Sequence, residues 1–303
     1  MRMLSAFLCF KILSLWILGL PTLMATNYVS SGTGNYDANG AWVGNAPPTV
    51  LIAGDSVFIN HAILLNQDII IKGVLIVNAS GSLIGSGNSI LIGDGTNVGE
   101  VYNYGTVNCK KITVDGSGTV NDSLPAFHNI DSVKTGKIDV GSNAPAGLFR
   151  NESTGYVLVS ATYGDAKGEA HIDGYLQNCG IMKFETKLKN HGGQLSCGGS
   201  IYTPLVEFDD NGGRAGTMTN QNLCTDSGSS TQPQFFSNTT GNTYNSISAF
   251  LVGESPTGSG NQVSGADYSI DSTSFFICGE SLDGSIKSGP LPIEFGGWDI
   301  SGR

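Results

Sequence analysis

The chain has 303 residues, 43 of them glycine, with 13% charged residues and a formal net charge of −10. An acidic surface of this kind repels phosphate backbones and anionic lipid, which argues against nucleic-acid and membrane-surface roles. Abundant Gly, Ser, Thr and Asn, with no long helical periodicity after residue 26, points to an all-β chain rich in turns.

Residues 1–25 carry Arg2 and Lys11, then the apolar run ILSLWILGL (12–20), Pro21 and the small Ala25. This layout predicts a secretory signal peptide cleaved near Ala25. The apolar run falls short of the ~20 residues a spanning helix needs, so no membrane span is expected once it is removed. Without Arg2 and Lys11 the 15 basic residues become 13 against 25 acidic ones, a net of about −12. Five cysteines then remain: Cys109, Cys179, Cys197, Cys224 and Cys278. Export predicts one or two disulfides among them, and the odd number leaves at least one thiol over. No CxxC spacing occurs, which argues against zinc.

Residues 26–49 are expected to form an N-terminal cap and residues 50–213 a repetitive body. Residues 35–87 place Trp42 near the start, Pro47 and Pro48 in a turn, Gly54 and Asp55 before a strand, and then DIIIKGVLIVNASGSL. This stretch resembles the opening of bacterial surface β-helix proteins. The resemblance implies a solenoid whose first coil is closed by a large aromatic, since an open end would expose its core.

The body repeats. Glycines open the segments GTVND at 118, GKIDV at 136, GYVLV at 155, GYLQN at 174 and GQLSC at 193, at spacings of 18, 19, 19 and 19. An aliphatic follows two positions after each: Val120, Ile138, Val157, Leu176 and Leu195. The expected fold is a right-handed parallel β-helix of about 19 residues per coil, with the aliphatics stacked as an inner ladder and the glycines at turns that admit positive φ. A β-sandwich, with strands every 8 to 12 residues or so, is the structural alternative.

Counting back by 19 from DDNGGR sets Asp209 over Asn190 and Asn190 over His171, with Asp210 over His191 and Arg214 close by. In residue types this polar column resembles the sites of β-helix polysaccharide hydrolases, which pair Asp residues with a His and a basic residue. The resemblance would make Asp209, Asp210, His191 and Arg214 catalytic. The order of NHG before DD is reversed here, and no Arg-x-Lys follows. A ladder of turn side chains satisfying backbone groups accounts for the same column and is the favoured reading. His171 and Asn190, together with Tyr156 and Tyr175 as an outward aromatic pair, are the candidate ligand-binding residues; Tyr102 and Tyr104 are further surface aromatics. His61 and His128 are read as structural. Three loops, GDGTN (93–97), DGSG (115–118) and DDNGG (209–213), are candidate Ca²⁺ loops without EF-hand spacing. No cofactor is expected, Ca²⁺ being the one candidate. DSV at 55, DSL at 122 and DSV at 131 resemble the short O-glycosylation sites of gliding-type bacteria.

Residues 214–288 lose the period and are expected to form irregular coils or a β-cap, which Cys224 and Cys278 could staple. In residues 289–303, Leu291, Pro292, Ile293, Glu294 and Phe295 resemble the segment that leads into the sorting domain of type IX secretion cargo. That resemblance implies export by this machinery, and residues 289–303 as a linker and first strand of a truncated domain. The expected role is structural, adhesive or glycan-contacting at the cell exterior, with polysaccharide or surface glycan as partner; the alternative is a carbohydrate-active hydrolase or lyase using the Asp209, Asp210 and His191 column.

Overall fold

The computed structural model describes residues 25–116, 124–141, 147–165 and 167–203, and beyond them the backbone of six strands between 205 and 251. Asp209, Asp210, Arg214, Val120, Cys278, the signal segment before Ala25 and residues 289–303 lie outside the described residues.

The chain is all-β, built from long parallel sheets. One sheet has ten strands and a second has sixteen, and the chain visits them in a fixed rotation. Each pass lays one strand in the ten-stranded sheet and then two in the larger one, which bends between them. In one pass these are Tyr175–Asn178, Ile181–Phe184 and Lys187–Asn190; in the pass before it, Leu148–Asn151, Tyr156–Val159 and Glu169–Ile172. Ser82–Ile92, Thr106–Val114 and Ser132–Val140 run through the bend unbroken, which joins the two stacks into one sheet. Strand residues alternate inward and outward, so Val101, Phe127, Phe149, Leu176 and Leu195 form one buried column while their neighbours face out. Phe127 and Phe149 stack with ring centroids 5.0 Å apart.

The constant 19-residue period does not survive. Register sets Leu195 19 residues after Leu176, but Ile138 lies against Ala170 and Val157 lies between Val133 and Met182. Val157 and Leu176 therefore belong to different sheets. Gly174 and Gly193 precede paired strands of the ten-stranded sheet on successive passes, Gly155 precedes a strand of the larger sheet, and Gly136 sits within a strand at the bend. The motif marks where a strand begins or bends, while the turns between strands vary in length and break the count. The expected inward aliphatics are all buried where described: Ile138, Val157, Leu176 and Leu195.

Nor do those glycines supply positive φ. A Cβ on Gly155 would stand 2.1 Å from Asn151 Oδ1, and one on Gly193 would stand 2.7 Å from the carbonyl oxygens of both Gly174 and Ile172. Close approach of the same pass at Gly155 and of the neighbouring pass at Gly193, not turn handedness, demands glycine here.

At the N-terminal end Trp42 is buried as expected. Its Nε1 donates to the carbonyl of Tyr36 at 3.0 Å, and the two rings meet edge to face at 5.7 Å. Gly54 has φ +95°, and Asp55 Oδ1 accepts from the backbone N–H of Thr26 at 3.0 Å, tying the first strand, Asn27–Val29, to the turn before the next. Asn27–Val29 and Gly34–Asn35 already pair in register with the following pass, so residues 26–49 contain the opening strands of both sheets.

Candidate functional site

The corner where the ten-stranded sheet hands over to the larger one carries a column of asparagines. Asn103, Asn129, Asn151 and Asn178 each end a strand with the side chain buried. Asn103 Nδ2 donates to Asn129 Oδ1 at 2.8 Å, Asn129 to Asn151 at 2.8 Å, and Asn151 to Asn178 at 2.9 Å. The same amides also donate to the carbonyls of Ser132, Tyr156, Ile181 and Ser200 on the following pass. One side chain thus serves a tight turn and its neighbour, supplying partners that buried polar groups require. The next position in register after Asn178 is Cys197, which has φ +83° and is disulfide-bonded to Cys179 with Cα atoms 5.0 Å apart. Of the remaining cysteines, Cys109 is a buried free thiol whose pKa is pushed up to about 12 by burial; the side chain of Cys224 is outside the described residues.

Asn190 belongs to this kind of corner and not to a ligand site. Its side chain is fully buried; Oδ1 accepts from Gly193 N–H at 2.6 Å and Nδ2 donates to the Gly193 carbonyl at 3.2 Å. The expected stacking of Asn190 on His171 is displaced by one residue: His171 lies against Lys189, and Asn190 points inward opposite Ile172. A slip of one moves a side chain to the other face. Tyr156 and Tyr175 do not form an outward pair, because they stand on different sheets. Tyr156 lies between Ser132 and Ile181, with the Lys183 ammonium over its ring at 5.6 Å; Tyr175 lies between Leu148 and Gln194. Lys183 is itself buried and sits 5.5 Å from the Tyr202 ring as well. His61 and Ser30 are 3.1 Å apart, and His128 stacks on Tyr102 at 4.8 Å.

His171 and His191 do come together, with ring centroids 5.2 Å apart. They mark the edge of a charged row on the outer face of the second stack. In register this face runs Ser89, Lys111, Lys137, Glu169, Lys187 in one column and Thr113, Asp139, His171, Lys189 in the next. Asp139 is paired with Lys111 at 2.5 Å and Lys137 at 3.1 Å. Glu169 lies 3.9 Å from Lys137, 3.7 Å from Lys167 and 3.8 Å from Lys187, and His171 Nε2 is 3.0 Å from its Oε1. His191 Nδ1 is 3.8 Å from Asp173. Burial and the adjacent Lys137 push the His171 imidazole below its ordinary pKa, against the pull of Glu169 and Asp139.

Both carboxylates of the row are shared among lysines. The face sets ammonium, carboxylate and imidazole groups side by side. The alternate lysines of KLKN (187–190) and the alternation of Lys137 with Asp139 in KIDV (137–140) are the sequence signal for it, since residues two apart on a strand share a face.

Of the candidate Ca²⁺ loops, 93–97 is closed by its own carboxylate. Asp94 Oδ1 accepts from Thr96 N–H at 3.1 Å and Asn97 N–H at 2.9 Å, and Oδ2 pairs with the Lys72 ammonium. These partners hold the Asp94 carboxyl well below the usual carboxylate range. The loop at 115–118 is described only in part, and 209–213 lies outside the described residues. Among the described residues no helix is long and apolar enough to cross a membrane. Comparison with protein-family models, with curated proteins and with solved structures finds no match.

Proposed function

We propose that this chain is a secreted or cell-surface right-handed β-solenoid with a structural, adhesive or glycan-contacting role. The observation that carries the proposal is the outer row of Lys111, Lys137, Glu169, Lys187, Asp139 and His171 on a chain that is otherwise acidic. Its support includes the fixed rotation of the strands through two parallel sheets, which suits a solenoid, and the Cys179–Cys197 disulfide, which suits an oxidising exterior. Residues 1–25 then act as a signal peptide, and the segment 291–295 as part of an address read by type IX secretion machinery. Of Asp209, Asp210, His191 and Arg214, only His191 is among the described residues, and Asp173 lies 3.8 Å from its Nδ1.

The test is a polysaccharide panel presented to the purified protein. Saturable binding without release of reducing ends or unsaturated products is the expected result. Product release that disappears in the Asp209→Asn, Asp210→Asn variant would overturn it in favour of a hydrolase or lyase.

A further inference from the structure

Three carboxylates are buried among the described residues, and two of them have basic company: Glu169 stands among lysines, and Asp173 lies 3.8 Å from His191 Nδ1. Asp55, 4% exposed, has no Lys, Arg or His side chain within ion-pair distance among the described residues. Its carboxylate faces backbone instead. Oδ1 accepts from Thr26 N–H at 3.0 Å, and Oδ2 from Ile52 N–H at 3.4 Å. A buried carboxylate without a counter-charge is costly, and hydrogen bonds from neutral amides offset only part of that cost. Thr26 is held in place from its C-terminal side. Its carbonyl accepts from Ser56 N–H at 2.9 Å, and the strand that follows it, Asn27–Val29, pairs in register with residues 56–58. Ala25 lies exposed over Gly54, where an added Cβ would stand 3.6 Å from the Ala25 methyl.

We infer that the peptide bond between Ala25 and Thr26 is the processing site, and that the α-ammonium released on Thr26 becomes the counter-charge of Asp55. The inference rests on the signal-peptide reading above; it assigns the bond that is cut and what the cut does. Hydrolysis consumes one water: Ala25 takes the new carboxylate and leaves with residues 1–25, and Thr26 keeps the amine, which is protonated at neutral pH. The nitrogen that donates one neutral N–H to Asp55 becomes an ammonium with three, at a position already 3.0 Å from Oδ1. The pair joins Asn27–Val29, the first strand of the ten-stranded sheet, to the turn at Gly54 and Asp55 that leads into the second, Ser56–Ile59. Cleavage one residue earlier would leave the Thr26 nitrogen an uncharged amide. Cleavage one residue later would remove that nitrogen, and with it the carbonyl that Ser56 N–H uses. The precursor therefore carries a cap without its charge pair, and the first pass reaches full stability only once the segment is removed.

N-terminal sequencing and intact mass of the full chain, expressed in an exporting bacterial host, should give a product that starts at Thr26. A product that retains residues 1–25 would overturn both the signal peptide and the inference, and a start at any other residue would overturn the inference alone. The ion pair is tested by comparing the chain that starts at Thr26 with one that starts at Ala25, each with and without Asp55→Asn. Keeping Ala25 should lower the folding equilibrium constant from urea denaturation by about tenfold, the difference between a charged and a neutral hydrogen bond, and should change it by less than about twofold when Asp55 is replaced. An equal loss in both backgrounds would overturn the pairing with Asp55 and leave the signal peptide standing. The α-amine supplies a second measurement that does not require the Asp55→Asn chain to fold. Held charged by the carboxylate, it should be acylated near neutral pH about tenfold more slowly in the native chain that starts at Thr26 than in the one that starts at Ala25, and equal rates would overturn the pairing.

Discussion

Asn129 donates from Nδ2 to the side-chain oxygen of Asn151 at 2.8 Å, inside the protein and between two passes of the chain 22 residues apart. Neither residue touches solvent. Each amide accepts from one neighbour, donates to the next and also reaches a backbone carbonyl, so the column is a chain of mutually dependent bonds.

Asn129→Ala breaks the column in its middle, leaving Asn151 Oδ1 without its donor and Asn103 Nδ2 without its side-chain acceptor. The expected loss of stability is about 1 to 3 kcal/mol for each buried group left unmatched. Urea denaturation checks it, and a total loss under about 0.5 kcal/mol would show that the column contributes little.

The inward aliphatics are the second source of stability. Val157 and Leu176 are fully buried, one in each sheet. Truncation of either to Ala should cost about 2 to 4 kcal/mol through lost burial and the cavity left behind. Because the two belong to separate columns, their effects in the double variant should add; strong coupling in a double-mutant cycle would contradict that separation.

The Cys179–Cys197 disulfide closes a loop with a sequence separation of 18. Replacing both by Ser should lower stability by about 3 kcal/mol on the chain-entropy account. Denaturation of wild type and variant under oxidising and reducing conditions measures this, and reductant should have no further effect on the variant.

Acid should destabilise the protein through His171 and His128. Both are held below their ordinary value of 6.5: His171 by burial and Lys137, His128 by burial first and Arg150 among its charged neighbours. A depressed imidazole means the unfolded chain takes up the proton first, so stability is intact above about 6.5 and declines as pH falls below it. His171→Gln should flatten the stability profile between about pH 7 and pH 5. A profile of unchanged slope would assign the acid sensitivity elsewhere.

Much of the fold is readable from the residues. Alternation in DIIIKGVLIV and GYVLV marks strands, Trp42 marks the covered end, and Gly-x-aliphatic marks where strands start or bend. The period is not readable, because Gly136, Gly155, Gly174 and Gly193 answer a steric demand that recurs at more than one place in each pass. With the period taken as constant, the polar column shifted by one residue, which turned the inward Asn190 outward and joined Tyr156 to Tyr175 across two sheets. His171 and His191 meet because His191 stands two residues beyond Lys189, the register partner of His171, and residues two apart share a face. The acidic half of the row, Asp139 and Glu169, was missed because 32 residues, including the excursion at 160–168, separate the strand positions of Lys137 and Glu169; local patterning carries no record of such a separation.

The bond between Cys179 and Cys197 also bears on how the protein would respond to pulling. Strands that pair only with the passes before and after them peel away in sequence when one end is drawn along the stacking direction, each pass surrendering its length in turn. A covalent clasp between adjacent passes withholds the length of chain between its ends, however great the tension. Peeling that advanced from the C-terminal side would shorten its step at Cys197 and resume only beyond Cys179, so a single-molecule extension trace should gain a longer step when reductant is added.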